Sequence, residues 1–205
     1  MQIVKASFSI EDEIDGEAML KRIERAGRTC YKSEMKITDS TAHAFVARVI
    51  ASGHESVIEH EKVTVRIVCD RGVSHELVRH RIASYSQEST RYVNYGKRGG
   101  VAYVLPVWVT PDTAECRLWQ AGCAANEREY LDALSRGWKA QEARGFLNHF
   151  VKTELVSTLN FRSWRNFFRL RSVFAAHPSM REIVVPMLAA FKQLIPVVFD
   201  DICVA

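Results

Sequence analysis

The 205-residue sequence predicts an α+β fold, and three observations carry that prediction. Residues 62–69, KVTVRIVC, place Val63, Val65, Ile67 and Cys69 on one face, the two-residue period of a half-buried strand. Residues 16–26 and 161–171 carry the longer period of helices. Strands and helices interleave, yet without the regular strand–helix–strand rhythm that builds a parallel sheet. With 47% hydrophobic and 25% charged residues the chain can fill a core, and residues 1–205 read as a single domain.

In chain order, residues 1–10 alternate enough for a first strand, and 16–26 form a helix. A second helix spans 40–51, opened by Asp39 or Ser40 as cap and closed by Gly53. After the strand at 62–69, Gly72 turns the chain into a short helix over 74–81. The string RHRIASYSQESTRY, residues 79–92, then runs on as a loop that ends near GKRGG, a mobile turn. Thr110-Pro111 starts a long helical region, 110–138. Residues 153–158 are a strand, 161–171 a helix, and 180–198 a last helix bent at Pro186.

Several function classes drop out. The net charge of +4 fits a protein that handles anions but is too small to indicate a nucleic-acid coat. No apolar run approaches the roughly 20 residues of a membrane-spanning helix. The opening MQIVKASFSIEDEIDGE lacks the basic head and apolar stretch of a signal peptide. Cys30, Cys69, Cys116, Cys123 and Cys203 are odd in number and never spaced CxxC, which suits a reducing cytoplasm. None sits in an evident nucleophile setting, and no Rossmann, P-loop or GxSxG signature occurs. HELVRH, residues 75–80, spaces its histidines five apart, about 140° around a helix, so the two cannot share a zinc ion as HExxH does. His54 and His60 in GHESVIEH read as hydrogen-bonded or helix-terminal histidines, and no metal is expected.

Two stretches remain unusual. In residues 79–92, four of fourteen residues are Arg or His and five are Ser, Thr or Gln, the donors of a phosphate cradle. The other is NFRSWRNFFRLR, residues 160–171. With Asn160 at 0° on a helical wheel, Trp164 falls at about 40°, Phe167 at about −20° and Phe168 at about 80°. Arg171, at about 20°, lies inside that aromatic arc. A core-facing guanidinium must find a partner, either a structural carboxylate such as Glu182 or Glu154 or a ligand. Arg162, Arg165 and Arg169 gather on the opposite side and read as a solvated basic face. Together the stretches indicate a planar, phosphorylated ligand, or else single-stranded nucleic acid stacked on the aromatics.

Arg79-His80-Arg81, seven residues and then Ser89 form an RHRx7S motif, and this resembles the flavin-dependent thymidylate synthases. IERAGRTCYKSE (23–34), GHESVIEH (53–60) and NFRSWRNFFRLR (160–171) are similar to the same family in order and separation. The resemblance covers about residues 16–185. It implies a family-specific fold with a mostly antiparallel sheet flanked by helices. The implied activity is reductive methylation of dUMP with 5,10-methylenetetrahydrofolate and NADPH by way of FAD. The implied assembly is a cytoplasmic homotetramer with active sites built between subunits, and neither nucleic acid nor membrane is a partner. By position, the resemblance gives FAD contacts to Arg79, His80, Arg81, Gln87, Asn160, Arg162 and Asn166, and to His54 and Ser56 of a neighbouring subunit. It gives dUMP contacts to Glu76, Arg79, Gln87, Glu88, Ser89, Thr90, Arg91, Arg144 and Arg171, with Arg171 catalytic. Other readings of the same residues are an FAD-binding relative without methyl transfer and a single-stranded nucleic-acid binder. Gln87 stands where the family often has Glu, Ser86 where it often has Asn, and Glu76 where some members have Gln. The segment between Arg171 and Glu182 is longer than in some members, and His177 receives no role.

Overall fold

The computed structural model describes residues 1–204. In chain order the elements are β1 (Gln2–Val4), β2 (Ser7–Ile10), α1 (Gly16–Thr29), α2 (Thr41–Ala51), β3 (Lys62–Asp70), α3 (Arg71–Leu77) and β4 (Ala83–Gln87). There follow β5 (Ala102–Val104), α4 (Ala114–Ser135), α5 (Ala140–Ala143), β6 (Lys152–Asn160), α6 (Phe161–Arg171), α7 (Pro178–Leu194) and α8 (Pro196–Phe199). The expected α+β architecture is present, with a four-stranded, mostly antiparallel sheet in the order β2-β3-β6-β4. Its direction shows in two cross-strand pairs, Thr64 with Thr158 and Arg66 with Glu154: one number climbs as the other falls. Alternate residues of β3 and β6 are buried, as the period of β3 predicts.

The chain forms two compact units. The first comprises Met1–Phe8, Arg66–Arg79 and Tyr85–Val156. Its core packs Tyr95, Tyr103, Trp119, Cys123, Tyr130 and Val151, with α4 supplying Trp119, Cys123 and Tyr130 at helical spacing. The second comprises Ser9–Val65, His80–Ser84 and Ser157–Ala205. Its core is aromatic: Phe161, Trp164, Phe167, Phe168, Phe191 and Phe199 meet at centroid distances of 5.0 to 5.9 Å. There α1 packs against α2 at Gly27, where a β-carbon would lie 2.6 Å from the Phe45 ring.

Several expectations need correction. The first strand is two: β1 pairs in parallel with β5, and β2 joins the four-stranded sheet. The short helix α3 starts earlier, because the Asp70 side chain accepts from the Val73 N–H at 2.8 Å, and it ends at Leu77. Arg79, His80 and Arg81 therefore lie beyond the helix. The expected loop contains β4, whose small polar residues hid its period. Ser40 makes no side-chain cap on α2, although Gly53 closes that helix as expected. The helix expected over 180–198 is α7, which runs through Pro186 and ends at Leu194, before Pro196 opens α8. Among the described residues, no helix is long and apolar enough to cross a membrane.

Candidate active site

In the second unit, α6 begins where the Asn160 side chain accepts from the Ser163 N–H at 2.8 Å. Its buried face carries the aromatic arc, and Trp164 donates its indole N–H to the Val63 carbonyl at 3.0 Å. Arg171 falls on that arc, half-buried, as the wheel places it. Its Nε donates to His80 Nε2 at 2.9 Å, and the His80 ring stands edge-on to Phe167 at 4.9 Å. Burial, and then the adjacent Arg171 charge, lower the His80 pKa to about 4. The imidazole is thus neutral at pH 7, with Nε2 free of a proton to accept and the proton on Nδ1. Sequence reading placed both residues in a site but missed that one orients the other.

On the basic side of α6, Arg162 and Arg169 are exposed as expected, but Arg165 is not. Arg165 is 0% exposed. Its two terminal nitrogens grip the Asp201 carboxylate at 2.6 and 2.7 Å, its Nε donates to Glu55 at 3.0 Å, and it also meets the Val198 carbonyl. The burial of this guanidinium is compensated because all three of its nitrogens donate to acceptors, two of them carboxylates. Arg169 reaches the same two carboxylates from the exposed side at 3.2 and 3.4 Å. Arg162 pairs with Glu59 at 2.6 Å.

Two clefts open in this unit. One, of about 410 Å³, brings together Arg81, Asn160, Arg162 and Asn166 with Glu55 and Glu59. The other, of about 650 Å³, is lined by His54 and Ser56 with Arg28, Lys36, Arg48 and Tyr31. Gly53, at φ +72°, allows the closing turn of α2, in which the N–H groups of Gly53 and His54 return to Ile50 and Val49. That turn delivers His54 to the cleft wall. No carboxylate lines this second cleft, so its charge is basic.

In the first unit, Gln87 ends β4. Its amide nitrogen donates to Ser74 Oγ at 3.0 Å and Thr153 Oγ1 at 3.2 Å. Ser74 spends its own proton on the Arg71 carbonyl at 2.9 Å, so at position 87 it can only accept. A carboxylate there would face, at Ser74, an oxygen with no proton to offer, so the amide suits this position. Gln87→Glu is expected to cost about 1–3 kcal/mol of stability at neutral pH and less as pH falls and the acid gains a proton, measured by urea unfolding across pH.

The residues after Gln87 form the loop expected to hold phosphate. Ser89 Oγ accepts from the Arg91 N–H at 3.2 Å, and the Ser89 carbonyl accepts from Tyr92 and Val93. Thr90 is buried. Arg91 lies 5.2 Å over the Tyr92 ring and donates to Gln141 of α5 at 3.1 Å; Arg144 caps the C-terminal end of that same helix. Arg91 and Arg144 are thereby tied to neighbouring positions. Glu76 is half-buried on α3 and Arg79 is exposed. Sequence reading missed the cleft of about 530 Å³ beside Gln87 and Glu88, lined also by Arg66, Tyr95, Arg98 and Lys152. Its signal was Lys152 and Glu154, two apart on β6 and so on one face. Among the described residues, no group of three or more His, Cys, Asp or Glu is placed to hold a metal ion.

Residues 15–197 match the family described as thymidylate synthase complementing protein. The chain belongs to this family, that of the flavin-dependent thymidylate synthases. It is 34% identical over 183 residues to the flavin-dependent thymidylate synthase of Geobacter sulfurreducens, covering 86% of this chain and 78% of the relative. Against that of Pyrococcus abyssi it is 34% identical over 168 residues, covering 80% and 69%. In fold it is similar to the UMP/dUMP methylase PolB from Streptomyces cacaoi bound with 5-Br dUMP, with a TM-score of 0.80 and 19% identity over 98% of this chain and 96% of that one.

Proposed function

We propose that this chain is a flavin-dependent thymidylate synthase that methylates dUMP to thymidine monophosphate, with 5,10-methylenetetrahydrofolate as carbon donor and NADPH as reductant through FAD. The observation that carries the reading is the orientation of Arg171 by a neutral His80, in a chain that matches the family over residues 15–197. The basic cleft with His54 and Ser56 fits the diphosphate of a dinucleotide, and the cleft with Arg81, Asn160, Arg162 and Asn166 offers amide and guanidinium donors to a flat heteroaromatic edge. These are two separate clefts, which supports a site completed by a second copy, as in a homotetramer. FAD, when bound, supplies the reducing electrons.

The rest is the work of side chains. Uracil C5 must become electron-rich to accept a carbon. Arg171 stabilises negative charge developing on the pyrimidine at N3 and its flanking carbonyls. A guanidinium does not lose its proton near neutrality, so its part is electrostatic. His80 fixes the plane of that guanidinium. Ser89, Arg91 and Arg144, with the backbone of the 89–91 loop, hold the phosphate, and that remote binding positions C5. Glu76, Arg79 and Gln87 border the nucleotide, and Arg79 also meets the cofactor. Thr90 is buried and acts through its backbone. The reaction belongs in the cytoplasm, where its small-molecule partners are found.

No thiol is needed. Burial raises the Cys69 and Cys123 thiols above their ordinary range, so neither is a ready nucleophile. Replacing all five cysteines with alanine is expected to leave methylation intact, assayed as thymidine monophosphate formed by the folded variant. The proposal itself is tested by titrating the protein with FAD and following NADPH oxidation with and without dUMP. Flavin absorbance and dUMP-dependent oxidation are expected. FAD binding without any response to dUMP would favour a relative that lacks methyl transfer. No flavin absorbance, with salt-sensitive binding to single-stranded DNA, would favour the nucleic-acid reading.

A further inference from the structure

Both oxygens of the Glu88 carboxylate are engaged. Oε2 meets Lys152 Nζ at 2.8 Å and Oε1 accepts from the Tyr95 hydroxyl at 2.9 Å. The Glu88 N–H donates to the Glu154 carbonyl at 2.8 Å, which pins the start of the 89–91 loop to β6. Lys152 also reaches Glu154 at 3.3 Å, and Glu154 in turn meets Arg66 at 2.5 Å. The charges thus alternate along Arg66, Glu154, Lys152 and Glu88, with side-chain exposures of only 22% for Lys152 and 18% for Glu88. A carboxylate one residue before Ser89 would repel a phosphate dianion and compete with it for the same donors.

We infer that Lys152 is a positioning residue for the nucleotide phosphate: with Tyr95 it holds and neutralises Glu88, so that the 89–91 loop can accept a dianion. The inference rests on the reading above, in which that loop receives dUMP. It moves Glu88 from the nucleotide contacts that the resemblance implied to a group held off the nucleotide. It also gives a task to Lys152, which no motif marks. Lys152 touches neither substrate nor cofactor in this account; its effect passes through the charge of Glu88.

The test compares dUMP and deoxyuridine affinity in flavin-loaded wild type, Lys152→Met, Lys152→Arg and the double variant Lys152→Met/Glu88→Gln. Lys152→Met is expected to weaken dUMP binding about tenfold or more while deoxyuridine, which lacks the phosphate, changes less than about twofold. Lys152→Arg should stay within about threefold of wild type. The double variant should recover most of the loss, because removing the carboxylate charge removes the need for its counter-ion. A Lys152→Met protein that binds dUMP as wild type does, or equal losses for dUMP and deoxyuridine, or a double variant no better than the single one, would overturn the inference. If Lys152→Met does not fold, the folded double variant decides: near-normal dUMP affinity supports the inference and a tenfold loss overturns it. A wild-type protein that binds flavin but no dUMP would overturn the functional reading itself, which the wild-type arm alone reveals.

Discussion

Arg171→Ala is expected to lower turnover by at least about a hundredfold, the scale for losing one preorganised charge stabiliser. Dissociation constants for dUMP should move far less, because the proposed phosphate contacts lie on the 89–91 loop and not on α6. Arg171 shares the wheel sector of Trp164, Phe167 and Phe168, so it cannot turn freely to water. Its Nε is committed to a neutral His80, so the guanidinium plane is set before substrate arrives. Preorganised charge costs no reorganisation during the reaction, which makes the loss large. Arg171→Lys should recover little, since an ammonium reproduces neither the planar fork nor the His80 contact. Near-normal single-turnover rates in Arg171→Ala would remove it from the mechanism. The same pair sets an acid limit. His80 has a folded pKa of about 4, below the ordinary 6.5, so the unfolded chain takes up its proton first. The stability this adds is full above pH 6.5 and is lost as pH falls toward 4.

Arg165→Ala should be the most destabilising change among the arginines on the basic side of α6, costing about 3–5 kcal/mol in urea unfolding. The guanidinium is 0% exposed and joins Glu55, Asp201 and the Val198 carbonyl. Without it, Glu55 keeps the hydrogen bond from the exposed Arg169, at 3.2 Å, and a buried carbonyl loses a donor. Asp201 is half exposed and can return to water, which places the cost at the lower end of the range. Arg162→Ala on the exposed turn, which breaks only the pair with Glu59, should cost less than about 1 kcal/mol. Comparable losses for the two variants would contradict the assignment of Arg165 as a buried anchor.

What the sequence made legible follows from which periods are strong. The valine alternation of KVTVRIVC leaves one reading, and β3 follows it. The aromatic residues of α6 are large and regularly spaced, so the helix boundaries and the inward aim of Arg171 could be read together. ASYSQ has the same two-residue period but nothing greasy to mark it, so β4 passed for loop. Arg165 was misjudged for a different reason. A wheel states which side of a helix a residue faces, not what packs there, and Asp201 comes from 36 residues further on. The cleft around Glu88 was hidden likewise, since Lys152 lies 64 residues from its partner.

The central claim is that this chain makes thymidine monophosphate from dUMP with reducing power carried by flavin and without a cysteine adduct. The most direct measurement is an anaerobic single turnover. Flavin-loaded protein is reduced with NADPH, mixed with dUMP and 5,10-methylenetetrahydrofolate, and its nucleotide product weighed by mass spectrometry. The account predicts thymidine monophosphate in step with flavin reoxidation, both in wild type and in the protein with all five cysteines replaced. Unchanged dUMP beside a fully reduced flavin, or product lost with the cysteines in a folded protein, would contradict it.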